Sequence, residues 1–315
     1  MNKRQLGRSD LQVAPLAFGG NVFGWTIDEA TSFPLLDQFI AAGFNLVDTA
    51  DVYSRWAPGN KGGESETIIG NWMRQRGHRD KVIIATKVGA DMGQGKKDLS
   101  KKYILKALED SLRRLQTDYI DLYQTHWDDD TTPVEETLEA YAQLVKEGKI
   151  RWIGASNLSP ARLTASLEAS ARNGYPRYES FQPGYNLYDR AGFEKEIEPL
   201  CLKHNLGVIS YYSLASGFLS GKYRSEADLS KSVRGGGVKK YLDERGLRIL
   251  SALDEVAAQY KTTPASVAIA WLIARPSITA PIASATKAQQ LTDLVKAAEL
   301  TLDAQAIEWL DKASA

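Results

Sequence analysis

The sequence predicts a (β/α)₈ barrel, the TIM-barrel architecture of the α/β class, from three observations. Short apolar runs alternate with amphipathic helical segments eight times along 315 residues. The runs are apolar on both faces, as in residues 82–85 and 208–209, which is typical of parallel strands covered on both sides. No G-x-G-x-x-G follows the first strand, which disfavours the main alternative, an open doubly wound sheet.

The order of the elements follows from these runs. An N-terminal hairpin is predicted over residues 4–13. The eight barrel strands are predicted at 15–18, 45–48, 81–87, 119–126, 150–156, 179–182, 207–212 and 278–282. No linker divides the chain, so we expect a single barrel domain over residues 1–315.

Capping residues mark several helix starts. Ser159-Pro160 and Thr263-Pro264 place a hydroxyl directly before a proline at the first helical position. Ser100 precedes a segment whose apolar residues recur at helical spacing. Residues 132–135, Thr-Pro-Val-Glu, predict a capping box at a further helix.

The connection between the seventh and eighth strands, residues 213–277, is longer than one helix with short loops requires. Its first part, residues 213–240, is polar and rich in Gly, Ser and Lys. It is either a surface insertion or a loop that folds over a ligand, and its position on the catalytic face favours the ligand.

Composition and charge exclude several classes of protein. Hydrophobic residues make up 43% and charged residues 25%, which excludes a disordered or collagen-like chain. Lys and Arg (39) balance Asp and Glu (39), so we expect neither nucleic acid nor a membrane as the main partner. Cys201 is the single cysteine, and no apolar signal segment opens the chain, so a cytoplasmic location is expected.

Polar side chains lie at the carboxyl ends of three adjacent strands, where barrel enzymes place their active sites. Asp48, Lys87 and His126 end the second, third and fourth strands, and Tyr53 lies in the loop after the second. Each residue alone has a structural explanation, such as a helix cap or a buried core histidine. Together they match one chemistry, which favours a catalytic set.

That chemistry is proton donation to an oxygen atom. Lys87 beside Asp48 is expected to stay charged and to lower the pKa of Tyr53 from about 10. A tyrosine so tuned can give up a proton near neutral pH. His126 could orient a carbonyl oxygen, and no nucleophile with an adjacent base stands out, so another agent must supply the second reactant.

The stretches around these residues resemble the aldo-keto reductase superfamily over essentially the whole chain. The matching runs are residues 45–53, 84–87, 118–126, 148–157 and 210–214. The resemblance implies a metal-free barrel that reduces aldehydes and ketones with NADPH, the hydride coming from the nicotinamide. It makes Tyr53 the proton donor, Lys87 the group that tunes it, Asp48 the partner of Lys87, and His126 the group that orients the substrate carbonyl.

The resemblance also implies contacts with the cofactor. Ser156, Asn157 and Gln182 would hold the carboxamide, and Tyr212 would stack on the nicotinamide ring. Tyr211 adjoins Tyr212, and strand alternation would send only one of the two into the barrel mouth. The other implied contacts are Gly19, Gly20 and Asn21 after the first strand, Ser213, Leu214, Gly217, Leu219 and Lys222 along the pyrophosphate, and Ser284, Lys287, Gln290 and Asp293 after the eighth strand.

The choice between NADPH and NADH depends on residues 283–287. The family often has an arginine there for the 2′-phosphate of NADP, whereas this chain has Thr286 followed by Lys287. A lysine offers a point charge without the fork of an arginine. We therefore expect NADPH, with NADH possible.

The substrate pocket is predicted from tryptophans that follow the first, second and fourth strands. Trp25, Trp56 and Trp127 would form an aromatic rim for a carbonyl compound or a sugar face. The acidic run at residues 128–130 is interpreted as a solvated loop rather than a metal site. With three His and one Cys, no zinc site is expected.

Three functions follow as hypotheses. The first is an NADPH-dependent reductase of small carbonyl compounds, monomeric or homo-oligomeric. The second is a nicotinamide-binding regulatory or partner protein, because potassium-channel β subunits resemble the same barrel. The third is a hydrolase that uses Asp48 and an aspartate of residues 128–130.

Overall fold

The structure is a computed structural model that describes residues 2–315. An antiparallel hairpin of β1 (Arg4–Gln5) and β2 (Gln12–Val13) precedes the barrel, as predicted. The barrel strands are β3 (Ala17–Gly19), β4 (Leu46–Asp48), β5 (Ile83–Val88), β6 (Ile120–Thr125), β7 (Ile150–Ser156), β8 (Tyr178–Gln182), β9 (Gly207–Val208) and β10 (Ile282–Ala283).

The eight barrel strands run parallel in the order β10-β3-β4-β5-β6-β7-β8-β9. Backbone hydrogen bonds also join β9 to the segment that leads into β10. Thr279 N donates to Val208 O at 2.8 Å, and Ile282 N donates to Ser210 O at 2.7 Å. These bonds close the sheet and confirm the predicted (β/α)₈ barrel.

Helices surround the barrel. They are α1 (Glu29–Ala41), α2 (Glu64–Arg76), α3 (Lys101–Leu115), α4 (Val134–Lys146), α5 (Pro160–Asn173), α6 (Glu198–His204), α7 (Glu244–Gln259), α8 (Pro264–Ala274), α9 (Ala288–Glu299) and α10 (Ala304–Ser314). The predicted caps Ser100, Ser159 and Thr263 each accept a backbone N–H three residues on, so they are confirmed. Across residues 2–315, no helix has the length and apolar character that a membrane crossing requires.

The capping box predicted at Thr132 is wrong. α4 begins at Val134, and no side chain caps its start. The Thr132 hydroxyl donates instead to Asp129 Oδ2 at 2.6 Å. A hydrogen bond to an ionised acceptor is stronger than one to a neutral group, so the threonine serves the loop before the helix rather than the helix itself.

Apolar side chains form two layers, one inside the barrel and one between the strands and the helices. This is because successive strand residues point to opposite faces of the sheet. Leu46 lies in the layer inside the barrel, and its neighbour Val47 lies in the layer against the helices. The inner layer also includes Leu6, Leu11 and Val13 of the hairpin segment. The hairpin therefore closes the amino-terminal end of the barrel with apolar side chains, and the polar site lies at the opposite end.

The long connection after β9 is an irregular segment followed by two helices. Its second half forms α7 and α8. Before α7, residues 213–243 are irregular except for three short 3₁₀ segments, Ala215–Ser220, Glu226–Lys231 and Gly235–Tyr241. This irregular part follows the carboxyl end of β9 and thus starts at the mouth of the barrel.

Candidate active site

The centre of the site is the ammonium group of Lys87, which lies within β5 and is fully buried. Lys87 Nζ donates to Asp48 Oδ2 at 2.6 Å and to the Tyr53 hydroxyl at 2.8 Å. A further bond to Thr49 O at 2.8 Å gives the ammonium three acceptors. The lysine therefore bridges the carboxylate at the end of β4 and the phenol that follows it.

The other oxygen of Asp48 is also engaged. Asp48 Oδ1 accepts from Gln182 Nε2 at 2.9 Å and from Gln124 Nε2 at 3.3 Å. Burial lowers the pKa of Lys87, and the Asp48 carboxylate opposes that effect. A buried ion pair is stable only when its remaining hydrogen-bonding capacity is also used, and the two amides provide this for Asp48.

The expectation that the pKa of Tyr53 is lowered from 10 is wrong. Burial raises the pKa of Tyr53 well above 10, and the Asp48 carboxylate raises it further. The Tyr53 hydroxyl lies 3.4 Å from Asp48 Oδ2, close enough for this negative charge to disfavour a second one on the phenol. Tyr53 is therefore protonated at neutral pH.

His126 lies at the end of β6 with 8% of its surface exposed. Its ring centroid is 5.9 Å from that of Tyr53. Burial, with a smaller effect from the Lys87 charge, lowers the pKa of His126 well below 6.5. The imidazole is therefore neutral, and its Nδ1 has no hydrogen-bond partner within residues 2–315.

The three residues expected to hold a carboxamide lie together at the ends of β7 and β8. Asn157 Nδ2 donates to the His126 carbonyl and to Ser156 Oγ, both at 2.9 Å. Ser156 Oγ donates to the Gln182 carbonyl at 2.8 Å. Among the described residues none donates to Gln182 Oε1, so this acceptor is available to a ligand.

The two adjacent tyrosines differ in their surroundings. The Tyr211 hydroxyl donates to Asn157 Oδ1 at 2.8 Å, which places its ring beside the amide cluster. Tyr212 is 59% exposed and has a φ of 56°. Because β9 ends at Val208 rather than at residue 212, the alternation argument for these two side chains does not apply.

Other implied cofactor residues also meet at the mouth. Ser284 Oγ, beyond β10, lies 2.7 Å from Gly19 O and 2.8 Å from Asn21 Oδ1. Gly20 O accepts from Ser65 Oγ at 2.8 Å, so this backbone is held against α2. A side chain at position 19 would crowd this contact, because a Cβ there would lie 2.6 Å from Ser284 Oγ.

The residues expected near the pyrophosphate and the adenosine lie on separate segments. Lys287 directly precedes α9 and forms no ion pair within residues 2–315. Gln290 Oε1 accepts from Thr286 N at 2.8 Å, so this side chain braces the helix start. The remaining residues lie along the irregular segment after β9 and are Ser213, Leu214, Gly217, Leu219 and Lys222.

An aromatic rim borders the tetrad of Asp48, Tyr53, Lys87 and His126. Trp25 and Trp56 meet edge to face with centroids 5.4 Å apart, and Trp56 lies 6.0 Å from Tyr53. On the other side, Trp127 is stacked on His126 with centroids 5.9 Å apart and planes inclined by 27°. Trp56 and Trp127 are 49% and 40% exposed, so their ring faces are open to a ligand.

The acidic run beside Trp127 is not the solvated loop that the sequence predicts. Asp128 forms an ion pair with Arg162 at 2.8 Å. Asp129 is buried and accepts from Leu99 N at 3.1 Å as well as from two threonine hydroxyls. These hydrogen bonds lower the pKa of Asp129 to about 2. Only Asp130 is exposed, so the run mainly fixes the loop.

Two polar residues of the site were not predicted. Gln124 on β6 donates to Asp48, and a sequence signal was present, because Gln124 lies two residues before His126, which directly follows the strand. Arg234 lies over the ring of Trp25 at 5.1 Å. No sequence pattern indicates that contact, because Arg234 is more than 200 positions away on an irregular segment.

Comparison with known proteins agrees with this geometry. The model of the Aldo/keto reductase family matches residues 15–315. Uncharacterized oxidoreductase YrpG of Bacillus subtilis (strain 168) is 35% identical, over 99% of this chain and 95% of the relative. Protein tas of Escherichia coli (strain K12) is 31% identical over 96% and 94% of the two chains. A probable voltage-gated potassium channel subunit beta of Oryza sativa subsp. japonica is 33% identical over 95% and 92%.

The matched region includes all eight barrel strands and every residue of the tetrad. The relatives are aligned over nearly their full lengths, so the similarity is not limited to one motif. The chain belongs to the Aldo/keto reductase family.

Proposed function

We propose that the protein transfers a hydride from NADPH to the carbonyl carbon of an aldehyde or ketone, reversibly, with Tyr53 as the general acid. The observation that carries this proposal is the position of the Lys87 ammonium, 2.6 Å from Asp48 Oδ2 and 2.8 Å from the Tyr53 hydroxyl. The raised pKa of Tyr53 keeps the phenol protonated, so the proton is present for transfer to the carbonyl oxygen. When the proton is transferred, the hydrogen bond from Lys87 stabilises the phenolate that remains.

His126 supports the same reaction as a neutral hydrogen-bond donor beside Tyr53. A carbonyl oxygen that accepts from both side chains is held where the proton arrives. Because Lys87 lowers the pKa of the imidazole further, His126 stays uncharged and does not compete with Tyr53 as the acid.

The amide cluster fits the carboxamide of a nicotinamide, because a carboxamide both donates and accepts hydrogen bonds. Gln182 Oε1 would accept from its NH₂ group, with Asn157 and Ser156 beside it. The nicotinamide supplies the hydride when bound. For the ring contact we favour Tyr211 over Tyr212, because the Tyr211 hydroxyl is bonded to Asn157 at 2.8 Å whereas Tyr212 is 59% exposed.

NADPH is proposed over NADH because Lys287 can meet the 2′-phosphate that only NADPH carries, while Lys222 can meet the pyrophosphate that both cofactors share. Lys287 precedes α9, where the helix N-terminus adds its own attraction for an anion. Lys222 lies on the segment after β9, where its Nζ is near Gly217. Neither lysine forms an ion pair within residues 2–315, so both charges are available.

Replacement of Tyr53 by Phe tests the proposal. The variant keeps the ring and its contact with Trp56 but loses the proton, so we expect kcat for aldehyde reduction to fall at least about a thousandfold. NADPH affinity, measured by nicotinamide fluorescence, should stay within about twofold. Turnover that remains near the wild-type value would refute the role of Tyr53.

A second candidate function is a nicotinamide-binding partner protein. It is favoured by the relative named as a potassium channel subunit beta, which aligns over 95% of this chain. Tight NADPH binding with negligible turnover on a broad carbonyl panel, and co-purification with one larger partner, would support it. The hydrolase hypothesis has no structural support, because both oxygens of Asp48 are bonded to Lys87 and to amides, and Asp128 is paired with Arg162.

A further inference from the structure

We propose that Asp51 is held as a neutral carboxylic acid behind Lys87, and that its proton keeps an unbalanced negative charge away from Lys87 and Tyr53. Asp51 is then a positioning residue, which acts on the reaction through the charge of Lys87 and not by contact with a substrate. The protonation state of Asp51 is independent of the reaction, whereas its effect on the rate rests on the proposed function.

The carboxyl group of Asp51 is buried and has no donor. Asp51 lies in the loop after β4, two residues before Tyr53, and is 2% exposed. Neither of its carboxyl oxygens completes a hydrogen bond with any of residues 2–315. Its backbone is attached to β5, because Asp51 N donates to Lys87 O at 3.3 Å. An ionised carboxylate that no hydrogen bond satisfies is far more costly to bury than a neutral acid, so this environment favours the protonated form.

The other buried acids have different surroundings. Asp121 is the closest comparison, since it is also 2% exposed but is paired with Arg79 at 2.9 Å and with Arg151 at 3.1 Å. The remaining buried acids each accept from at least one donor, and they are Asp48, Glu66, Asp129 and Glu179. Within the described part of the chain, Asp51 is therefore the exception among the buried acids, and burial by itself does not explain its lack of donors.

The cations near Asp51 are already used by other acids. Arg114 of α3 is paired with the fully buried Glu66 of α2 at 2.6 Å. Lys87 is paired with Asp48 at 2.6 Å. Three carboxyl groups therefore share two cations, and an ionised third carboxylate would leave one negative charge unbalanced in a region without water. The acid without a donor is the one that keeps its proton.

The other groups that face Asp51 do not change this balance. Burial raises the pKa of Asp51 well above 3.8, and the Glu66 charge raises it further. The Arg114 and Lys87 charges and the neighbouring Val52 N–H act in the opposite direction without reversing the shift. Three tyrosines complete the set, and they are Tyr103 of α3, Tyr123 of β6 and Tyr141 of α4. Burial raises the pKa of each phenol, so none of the three carries a charge at neutral pH.

The charge on Asp51 matters to the reaction because Lys87 responds to it. Burial lowers the pKa of Lys87, and an ionised Asp51 would oppose burial together with Asp48. It would also add a second negative charge near the phenolate that Tyr53 forms when it donates its proton. Like charges disfavour each other most strongly where water is excluded, so carbonyl reduction should slow when Asp51 ionises.

Infrared spectroscopy of the folded protein tests the protonation state without any substrate. A neutral carboxylic acid has a C=O stretching band that an ionised carboxylate lacks. Wild type should show such a band at neutral pH, and Asp51→Asn should remove it. Asp121→Asn is the matched control, because Asp121 is equally buried but paired with two arginines, and it should leave the band unchanged. A wild-type spectrum without a band that depends on Asp51 would overturn the proposal.

Glu66→Gln tests the competition for Arg114. This variant removes the charge that raises the pKa of Asp51 and frees the guanidinium, so the band should disappear at a lower pH than in wild type. An unchanged midpoint would contradict the charge balance on which the neutral acid depends.

Stability provides a second measurement that needs no activity. The folded protein keeps a proton on Asp51 that the unfolded chain releases above about pH 4. The free energy of unfolding of wild type should therefore fall relative to that of Asp51→Asn as the pH rises. The urea midpoints of the two proteins should shift in favour of the variant between acidic and neutral pH. A difference that is independent of pH, or that shifts in favour of wild type, would mean that Asp51 is ionised and would refute the proposal.

The pH profile of kcat/KM tests the effect on the reaction, with NADPH and a neutral aldehyde such as butanal. In wild type, kcat/KM should fall about tenfold over the pH range in which the infrared band disappears. Asp51→Asn is uncharged at every pH, so it should not show this fall, whereas the loss of a merely structural contact would leave the shape of the profile unchanged. The same fall in both proteins would overturn the link to Lys87. If wild type has the band but reduces no carbonyl compound, the proposed function fails and the neutral acid at position 51 is still supported.

Discussion

At the level of single residues, burial sets the protonation state of each titratable group in the site. Tyr53 keeps its proton, His126 stays neutral, and Lys87 stays charged between its acceptors. The same loss of water raises the pKa of the phenol and lowers the pKa of the imidazole and the ammonium, because in each case it disfavours the charged form. Asp48 opposes burial only at Lys87, where its charge is of opposite sign.

His126 should make stability depend on pH as the pH falls below about 6.5. Its pKa in the folded protein lies well below 6.5, so in this range the unfolded chain binds a proton that the native protein does not. The free energy of unfolding should therefore fall as the pH falls, by up to about 1.4 kcal/mol per pH unit from this group. Urea unfolding of His126→Asn should show a correspondingly weaker slope. His78→Asn serves as the control, and an unchanged slope in His126→Asn would contradict this origin.

At the scale of elements, the loop between β4 and α2 determines where Tyr53 and Trp56 lie. Ser54 has a φ of 71°, and its hydroxyl donates to Phe23 O at 2.6 Å. Asn60 Nδ2 donates to Gly24 O at 2.7 Å and to Ser54 O at 2.9 Å. These bonds attach the loop to the segment after β3, so the Tyr53 and Trp25 sides of the mouth are positioned together.

Helix α2 packs against α3 through a glycine. A Cβ at Gly70 would collide with the carbonyl oxygen of Arg114 and lie 2.8 Å from Leu115 Cα. Gly70→Ala should therefore reduce the free energy of unfolding by about 1–3 kcal/mol, although alanine favours an isolated helix. Gly192→Ala is the matched control, since Gly192 has helical dihedral angles and no atom within 4 Å of the added carbon. Chemical denaturation of both variants measures the contrast, and equal effects would contradict the steric explanation.

At the scale of the whole molecule, the two ends of the barrel have different roles. The amino-terminal end is closed by the hairpin, whose Leu6 is fully buried. The carboxyl end holds the ion pair, the amide cluster and the aromatic rim. A change at the closed end should therefore affect stability and leave the kinetics of the site unaffected.

Leu6→Ala tests this division. Loss of the fully buried side chain should lower the free energy of unfolding by about 2–5 kcal/mol. Under conditions where the variant is folded, kcat/KM should stay within about twofold of wild type. Leu202→Ala, at a side chain that is 59% exposed, should change stability by less than about 0.5 kcal/mol. A large change in KM for Leu6→Ala would show that the two ends are coupled.

Sequence patterns were enough to predict the eight parallel strands and the caps at Ser100, Ser159 and Thr263. They also predicted that Asp48, Lys87 and His126 meet at one rim, because parallel strands bring their carboxyl ends together. Tyr53 lies in a loop, and its place beside them rested on the family resemblance. Other outcomes required the fold. The pKa of Tyr53 depends on how completely water is excluded and on a carboxylate 3.4 Å away. The Thr132 hydroxyl donates to Asp129 and does not cap a helix.

Which distant side chains meet at the mouth could be seen only in the folded protein. Arg234 contacts Trp25 across more than 200 positions, and Asp128 forms an ion pair with Arg162. The physical reason is that packing and desolvation act between residues that are neighbours in space. A sequence pattern reports only neighbours along the chain or positions that repeat with the period of a helix or strand.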